Sequence, residues 1–313
     1  MSPYGQTSVA LYNNSQIPAR ATELQAILGS QGRKVLVIES VERMIEKPTR
    51  DGFSDLMTIV KSDDGLGILM TCRDYCVEQV RASFLQAAGI NHAVIEVPPL
   101  DDTELQEIQG AFPSLGVPLA NPALREILRN PYFIDKALQI PWDAGRPLPE
   151  NERDFRAVFW RQIVRADQNP AGGMPRLREV ALQELAVSRA RALSDYVPAT
   201  GFNAAAIALL KQDSLVVSPD SNALLVATAH DVLEDWAILQ WIEEKHLTDE
   251  TAFKTLSSAI GPHPAVRRSY RKWVAELVDR DAPAADRLFS AAIAQADVPG
   301  QFRDDTLVSL LKA

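Results

Sequence analysis

The sequence predicts an α/β segment followed by a mainly helical remainder. Two short apolar runs, Lys34–Glu42 and Gly67–Asp74, are continuous rather than alternating, which is typical of parallel strands covered on both faces. A helical pattern separates the two runs, and strands that alternate with helices at this interval indicate crossover units. After Leu100, helical patterns follow one another for a long stretch without another convincing strand. These observations predict a partial parallel sheet at the amino-terminal end of a largely helical chain.

The elements of the first part follow in order along the chain. Ala19–Leu28 is a predicted short helix that precedes the first strand. Phe53–Ser62 carries apolar residues at helical spacing before the second strand, and Val77–Ala88 is a further helix after it. Ala93–Val97 is predicted to be a third strand, which ends at the proline pair Pro98–Pro99.

The second part begins with Asp101 and Asp102, acids that favour the amino terminus of a helix. Further helices are predicted at Ala123–Leu128, Phe133–Leu138, Asn151–Ala166, Arg176–Tyr196, Ala204–Lys211 and Asp231–Lys245, and residues 248–313 are predicted to be entirely helical. Leu215–Val226 holds two apolar runs around a Pro-Asp-Ser-Asn turn, which predicts a β-hairpin. Several helices followed by a two-stranded wing is the element order of a winged-helix domain.

Composition limits the classes of function. The chain of 313 residues has a formal net charge of −9, which argues against broad electrostatic binding of nucleic acid. No apolar run approaches the roughly 20 residues of a membrane helix, and the amino terminus has no apolar signal core. We therefore expect a cytoplasmic protein without a membrane partner. The cysteines Cys72 and Cys76 have no second metal-ligand pair, and inert thiols are the favoured interpretation.

A basic cluster lies in the last helical segment. Its four cations, interleaved with Tyr270 and Trp273, are Arg267, Arg268, Arg271 and Lys272. Such a cluster fits either a grip on phosphates or an acidic partner, or a solvated helix face. The solvated face is the favoured interpretation.

Polar residues suited to nucleotide chemistry end both predicted strands. Glu39 and Glu42 follow the first strand, and Thr71 and Arg73 follow the second. Carboxyl ends of neighbouring parallel strands meet at one edge, where ligands of such sheets bind. In a phosphoryl-transfer site, Glu39 would be the magnesium-associated acid, Glu42 would polarise the attacking water, and Arg73 or Thr71 would touch the γ-phosphate. The alternative, left open by spacing alone, is that these residues are solubilising charges at strand ends.

Together with the order of elements, these residues resemble the STAND class of AAA+-related P-loop ATPases, the relatives of NACHT and NB-ARC switches. The motif hydrophobic-Thr-polar-Arg is present as Leu69–Arg73, and the resemblance covers about residues 20–246. It implies a helical lid whose proline, Pro131, packs near adenine, and a winged helix whose histidine, His230, lies near the β-phosphate. The alternative is that Pro131 simply begins a helix and His230 caps one.

The resemblance divides the chain into four parts. Residues 1–115 would be a partial P-loop NTPase core, 116–150 a helical lid and linker, 151–247 a winged-helix domain, and 248–313 a helical segment that starts a helical array. Two departures from the family pattern, Glu39 in place of an aspartate and Arg43 in place of an acid, weigh against hydrolysis more than against nucleotide contact.

The sequence lacks the phosphate-binding loop of this family. None of the 15 glycines is followed by Lys-Ser or Lys-Thr, and Gly32-Arg33-Lys34 enters a strand rather than a helix. We therefore expect the carboxyl-side portion of such an ATPase, with the loop supplied by an upstream or separate polypeptide, or a chain that has lost catalysis. ATP or ADP with Mg²⁺ would bind only where that loop is supplied.

The resemblance also implies a switch in which ADP holds the lid and winged helix against the core, and exchange for ATP releases them for homo-oligomerisation. Two rival functions remain. One is a non-enzymatic protein-interaction scaffold. The other is a winged-helix regulator that reads DNA with Ala204–Lys211, a helix with hardly any side chains suited to bases or phosphates.

Overall fold

The computed structural model describes residues 26, 29–30, 32–39, 41, 50–72, 76–143, 145, 147–192, 194, 196–219, 222–248, 253–294 and 298–312. The chain forms two compact units, Met1–Val97 and Pro98–Ala313. The first contains a two-stranded parallel sheet, and the second is mainly helical with a small three-stranded antiparallel sheet. In the part of the chain that is described, no helix combines the length and the apolarity that crossing a bilayer requires.

The first unit is a strand-helix-strand-helix arrangement. Its elements are β1 (Lys34–Ile38), α1 (Arg50–Ser62), β2 (Leu66–Met70) and α2 (Val77–Val80), which continues as the π-helical turn Arg81–Gln86. The strands pair in parallel, from Lys34 opposite Leu66 to Ile38 opposite Met70. The predicted pair of parallel strands joined by a crossover helix is therefore confirmed.

The sheet of the first unit is covered on one face. Side chains of both helices pack there against Leu36, Ile38, Ile68 and Met70, and the rings of Phe53 and Phe84 meet edge to face at 4.6 Å. On the opposite face, Val35, Val37 and Leu69 are 69%, 56% and 51% exposed. The prediction that both faces are covered is wrong, because α1 and α2 pack on the same side.

The predicted third strand is also wrong. Residues 93–97 have no regular secondary structure, and Ile95 is 82% exposed. High β-propensity describes how well a side chain fits a paired, half-buried surface, so it does not by itself produce a strand. Among the described residues, β1 and β2 pair with each other and with no further strand.

A glycine is required in the turn before β2. A Cβ atom at Gly65 would lie 2.8 Å from the carbonyl oxygen of Gly32, and the Lys34 N–H donates to the Gly65 carbonyl at 2.7 Å, which holds the two segments together. We expect Gly65→Ala to destabilise the first unit by about 1–3 kcal/mol through this overpacking. Faster hydrogen exchange of the β2 amides measures the effect.

Gly67, within β2, is the matched control for this substitution. A Cβ atom there meets its nearest neighbour at 3.6 Å, an ordinary contact. Gly67→Ala should leave the exchange rates of β2 close to those of the unsubstituted chain. Equal exchange rates in the two variants would contradict the close-approach argument.

The second unit contains the predicted helices, with two short 3₁₀ turns and one further strand. Its elements are α3 (Asp102–Ala111), α4 (Gly116–Ala120), α5 (Pro122–Ile127), α6 (Pro131–Leu138), α7 (Glu152–Phe159), α8 (Pro175–Ala192), β3 (Val197–Pro198), α9 (Ala204–Gln212), β4 (Val216–Val217), β5 (Leu225–Thr228), α10 (Asp231–Thr248), α11 (Phe253–Ile260), α12 (Pro264–Arg280), α13 (Ala282–Ala294) and α14 (Gly300–Lys312). A π-helical turn, Trp160–Val164, continues α7. By its internal contacts this unit begins at Pro98, so it includes α3. The division at residue 115 came from the family resemblance, and it stays a prediction.

Side-chain caps explain where several of these helices begin. Asp101 forms a capping box with Glu104 at the start of α3. The side-chain oxygen of an asparagine accepts a backbone N–H at the start of four more helices, α5, α6, α7 and α9, with Asn121, Asn130, Asn151 and Asn203 as the caps.

The antiparallel sheet has the strand order β3-β5-β4. The predicted hairpin is confirmed by the pairing of β4 with β5, in which Val216 lies opposite Thr228. The extra strand β3 pairs with the other edge of β5, where Val197 lies opposite Val226. Helices α8, α10 and α12 pack on one another, α8 also contacts β5, and α12 contacts α14.

Candidate functional site

In the first unit, Glu39 and Thr71 lie at the same edge of the sheet. Each directly follows the last residue of its strand, and Ile38 and Met70 are register partners. The Thr71 N–H donates to the Ile38 carbonyl at 2.9 Å, and the Thr71 carbonyl accepts the Val41 N–H at 2.9 Å, so the pairing continues past the strand ends. The expectation that the two strand ends meet at one edge is confirmed for these two residues.

Glu39 and Thr71 also belong to the uncovered face of the sheet. Side chains alternate between the faces of a strand, and the exposed positions are 35, 37 and 39 on one strand and 67, 69 and 71 on the other. An apolar face therefore ends in one acid and one hydroxyl. The covered face, by contrast, ends in the apolar side chains of Ile38 and Met70.

The donor set at this edge bears on the predicted magnesium role of Glu39. Within the described residues, no group of three or more His, Cys, Asp or Glu side chains is placed to hold a metal ion. Mg²⁺ in nucleotide sites keeps several waters and is bound by one or two carboxylates together with phosphate oxygens. Glu39 fits that partial role, and it does not form a metal site by itself.

Two of the predicted catalytic residues lie outside the described residues. They are Glu42 and Arg73. Their roles as the base for the attacking water and as the γ-phosphate contact remain predictions.

The turn at Gly32-Arg33-Lys34 is held by hydrogen bonds within the first unit. Gly32 has φ +109°, a left-handed conformation that favours glycine. The Lys34 Nζ donates to the Asp63 carboxylate at 3.2 Å, and the Gly65 N–H and this lysine lower the pKa of Asp63. Lys34 lies at the amino end of β1, at the edge opposite Glu39, so it contributes to the turn rather than to the candidate site.

In the second unit, Arg129 fixes the turn that carries Pro131. Its guanidinium donates to the Leu100 carbonyl at 2.9 Å, to Asp102 at 2.7 Å and to Glu126 at 3.0 Å. The hydrogen bond from Arg129 lowers the pKa of Asp102. The turn before α6 is thereby joined to the start of α3.

Pro131 begins α6, and His230 caps α10. Asn130 accepts the Tyr132 N–H at 3.0 Å as the cap of α6, and Pro131 is the first helical residue. At the start of α10, the Val232 N–H donates to the His230 Nδ1 at 3.1 Å. Pro131 therefore begins a helix and His230 caps one, as the structural alternative predicts. Both residues are exposed.

The two helix starts meet through Tyr132. Its ring stacks on the imidazole of His230, with centroids 4.2 Å apart and planes 29° apart. Its hydroxyl is buried and has no hydrogen-bond partner among the described residues. Burial, with a smaller effect of Asp135, raises the pKa of Tyr132. The buried side chain of Lys136 places its Nζ 5.4 Å from the centre of the same ring.

Sequence reasoning missed Tyr132. The residue directly follows Pro131, the predicted lid proline, and an aromatic residue directly before the predicted helix Phe133–Leu138 was the available signal. Tyr132 and His230 are 98 residues apart in the chain, so no local pattern indicates their contact.

The basic cluster of α12 is used inside the second unit. Its ion pairs are Arg267–Asp305 at 2.7 Å, Arg268–Asp235 at 2.5 Å, Arg271–Asp305 at 3.2 Å and Lys272–Glu152 at 2.6 Å. Tyr270 and Trp273 are buried. The solvated-face interpretation is confirmed for Arg271 and Lys272, which are exposed, but Arg267 and Arg268 are half-buried. The ion pairs of the four cations also connect α12 with α7, α10 and α14.

A comparison with models of protein families finds no match to this chain, and a comparison with curated proteins finds no match either.

Proposed function

We propose that this chain forms part of a STAND-like nucleotide switch. It supplies a strand edge with Glu39 and Thr71, a helical lid with Pro131 and a winged helix with His230, and another polypeptide segment supplies the phosphate loop. The observation that carries the proposal is the parallel register of β1 and β2, which brings an acid and a hydroxyl to one sheet edge. Ligands of parallel sheets bind at this edge.

The second unit supports the winged-helix part of the proposal. The chain order is α8, β3, α9, β4, β5, and the sheet order β3-β5-β4 leaves the β4–β5 hairpin as a wing. The rival function as a DNA reader has less support. The exposed residues of α9 are Ala204, Ala205, Ala208 and Gln212, which offer little to base edges or phosphates.

Each residue has a distinct role under this proposal. Glu39 holds the water shell of a phosphate-bound Mg²⁺, and the hydroxyl of Thr71 touches the γ-phosphate. In the second unit, Pro131 and His230 keep their predicted roles near adenine and near the β-phosphate. A bound Mg²⁺ neutralises the phosphate charge. Glu42 and Arg73 keep their predicted roles at the attacking water and the γ-phosphate.

The proposal predicts that nucleotide binding depends on the supplied phosphate loop. Fluorescent mant-ADP is titrated into the chain alone and into the chain co-expressed with the polypeptide encoded directly upstream. We expect Mg²⁺-dependent binding in the second preparation and negligible ATP hydrolysis in the first. His230→Ala should weaken binding about tenfold, because a hydrogen bond to a charged group contributes about 1.5–3 kcal/mol.

His263→Ala is the control for this substitution, because His263 also directly precedes a helix, α12. It should leave the affinity for mant-ADP unchanged. Absence of Mg²⁺-dependent binding in the co-expressed preparation, or an upstream polypeptide without a phosphate loop, would favour the scaffold function. ATP turnover by the chain alone that is lost in Glu42→Gln would refute the need for an external loop.

A further inference from the structure

The hydrogen bond at the start of α10 determines where the ring of His230 carries its proton. Nδ1 accepts the Val232 N–H at 3.1 Å, so in the neutral ring this nitrogen has no hydrogen. A neutral imidazole carries one N–H, which must then be on Nε2. The ring is therefore held as a donor at Nε2.

The stack with Tyr132 holds the plane of this ring. The phenol ring is itself held by edge contacts with Phe133 at 5.9 Å and Trp236 at 6.1 Å. The backbone N–H of Tyr132 donates to the side chain of Asn130, which fixes the first turn of α6. Tilting the imidazole out of this plane would break the stack, whose centroids lie 4.2 Å apart. Within the stacked plane, the Val232 N–H selects the orientation in which Nδ1, rather than Cδ2, faces it. The stack and the cap therefore favour the same orientation of His230.

The ring of Tyr132, and not its hydroxyl, makes this contribution. Within the described part of the chain the buried hydroxyl has no partner, which costs free energy and adds no hydrogen bond. Phenylalanine keeps the ring and removes the unpaired group. This difference separates a stacking role from a polar one.

We propose that Tyr132 is a positioning residue that fixes His230 in the Nε2–H tautomer, as a donor to an anionic oxygen. The identity of that oxygen as a nucleotide phosphate rests on the proposed function, whereas the tautomer and its dependence on Tyr132 do not. An Nε2–H group suits a phosphate oxygen, which only accepts hydrogen bonds.

Nitrogen-15 NMR of the histidine rings tests the proposal on the full chain, at a pH where the rings are neutral. We expect the Nε2–H pattern for His230 in the unsubstituted chain and in Tyr132→Phe. In Tyr132→Leu the ratio of the two tautomers should shift about fivefold towards Nδ1–H, because a net backbone hydrogen bond contributes about 1 kcal/mol. His263 is the internal control and should keep its pattern in all variants.

Tryptophan emission verifies that each variant is folded, since all five tryptophans lie in the second unit. An Nδ1–H pattern for His230 in the unsubstituted chain would refute the proposal even if Tyr132→Leu fails to fold. An unchanged pattern in folded Tyr132→Leu, or loss of the pattern in Tyr132→Phe, would refute it as well. The tautomer of His230 could respond as expected while His230→Ala leaves the affinity for mant-ADP unchanged. That result would support the positioning role of Tyr132 and refute the nucleotide function.

Discussion

Replacing Arg189 with leucine is expected to destabilise the second unit by about 3–5 kcal/mol, because it leaves a buried carboxylate without its cation. Arg189 on α8 and Glu234 on α10 are each 7% exposed. The guanidinium donates to Glu234 at 2.5 Å and to the Thr228 hydroxyl at 2.8 Å, so it joins α8, β5 and α10. These partners lie on either side of His230 in sequence, so the same network holds the start of α10.

Urea unfolding followed by tryptophan emission measures this change, because the first unit contains no tryptophan. Arg153→Leu is the matched control. Its ion pair with Asp154 at 3.6 Å has both side chains about 40% exposed, and exposed pairs contribute at most about 1 kcal/mol. The double substitution Arg189→Leu with Glu234→Leu should recover part of the loss, since it removes the buried carboxylate together with its cation. A loss for Arg189→Leu no larger than that of the control would contradict the argument.

Truncation of Phe155 is the second large effect. The ring is fully buried on α7, among Phe133 at 5.7 Å, Trp236 at 6.2 Å and Trp142 at 6.3 Å. Phe155→Ala removes these contacts and leaves a cavity, and we expect a loss of about 3–5 kcal/mol in the free energy of unfolding. The emission of the folded state should shift to longer wavelength, because two of the neighbours are tryptophans.

The same substitution at Phe289 controls for the loss of an aromatic side chain. Phe289 on α13 is 37% exposed, so truncation removes fewer contacts and leaves no closed cavity. We expect a loss below about 1 kcal/mol, the range of most surface changes. Similar losses at the two positions would show that the aromatic group around Trp236 does not stabilise the second unit.

The sequence predicted the part of the candidate site that depends on the pairing of two neighbouring strands. The meeting of Glu39 and Thr71 at one edge depends on two adjacent parallel strands, and an apolar run followed by a crossover helix indicates such a pair. The contact between Tyr132 and His230 does not follow from any such rule. It results from the packing of α6 on the start of α10, two elements far apart in the chain.

Elements whose hydrogen bonds close within a few residues follow from local sequence alone. Asp101 and the asparagine caps begin helices because their side chains accept nearby N–H groups, and the turn at Pro219 determines the hairpin. Which apolar surfaces are covered depends instead on long-range packing. Residues 93–97 have a strand-like sequence but remain unpaired and exposed, and Val35 and Val37 in β1 remain exposed on the uncovered face. Pairing a strand and covering a sheet face both require elements distant in sequence. For the same reason, the cations of α12 have their partners on α7, α10 and α14, a result that periodicity within one helix does not predict.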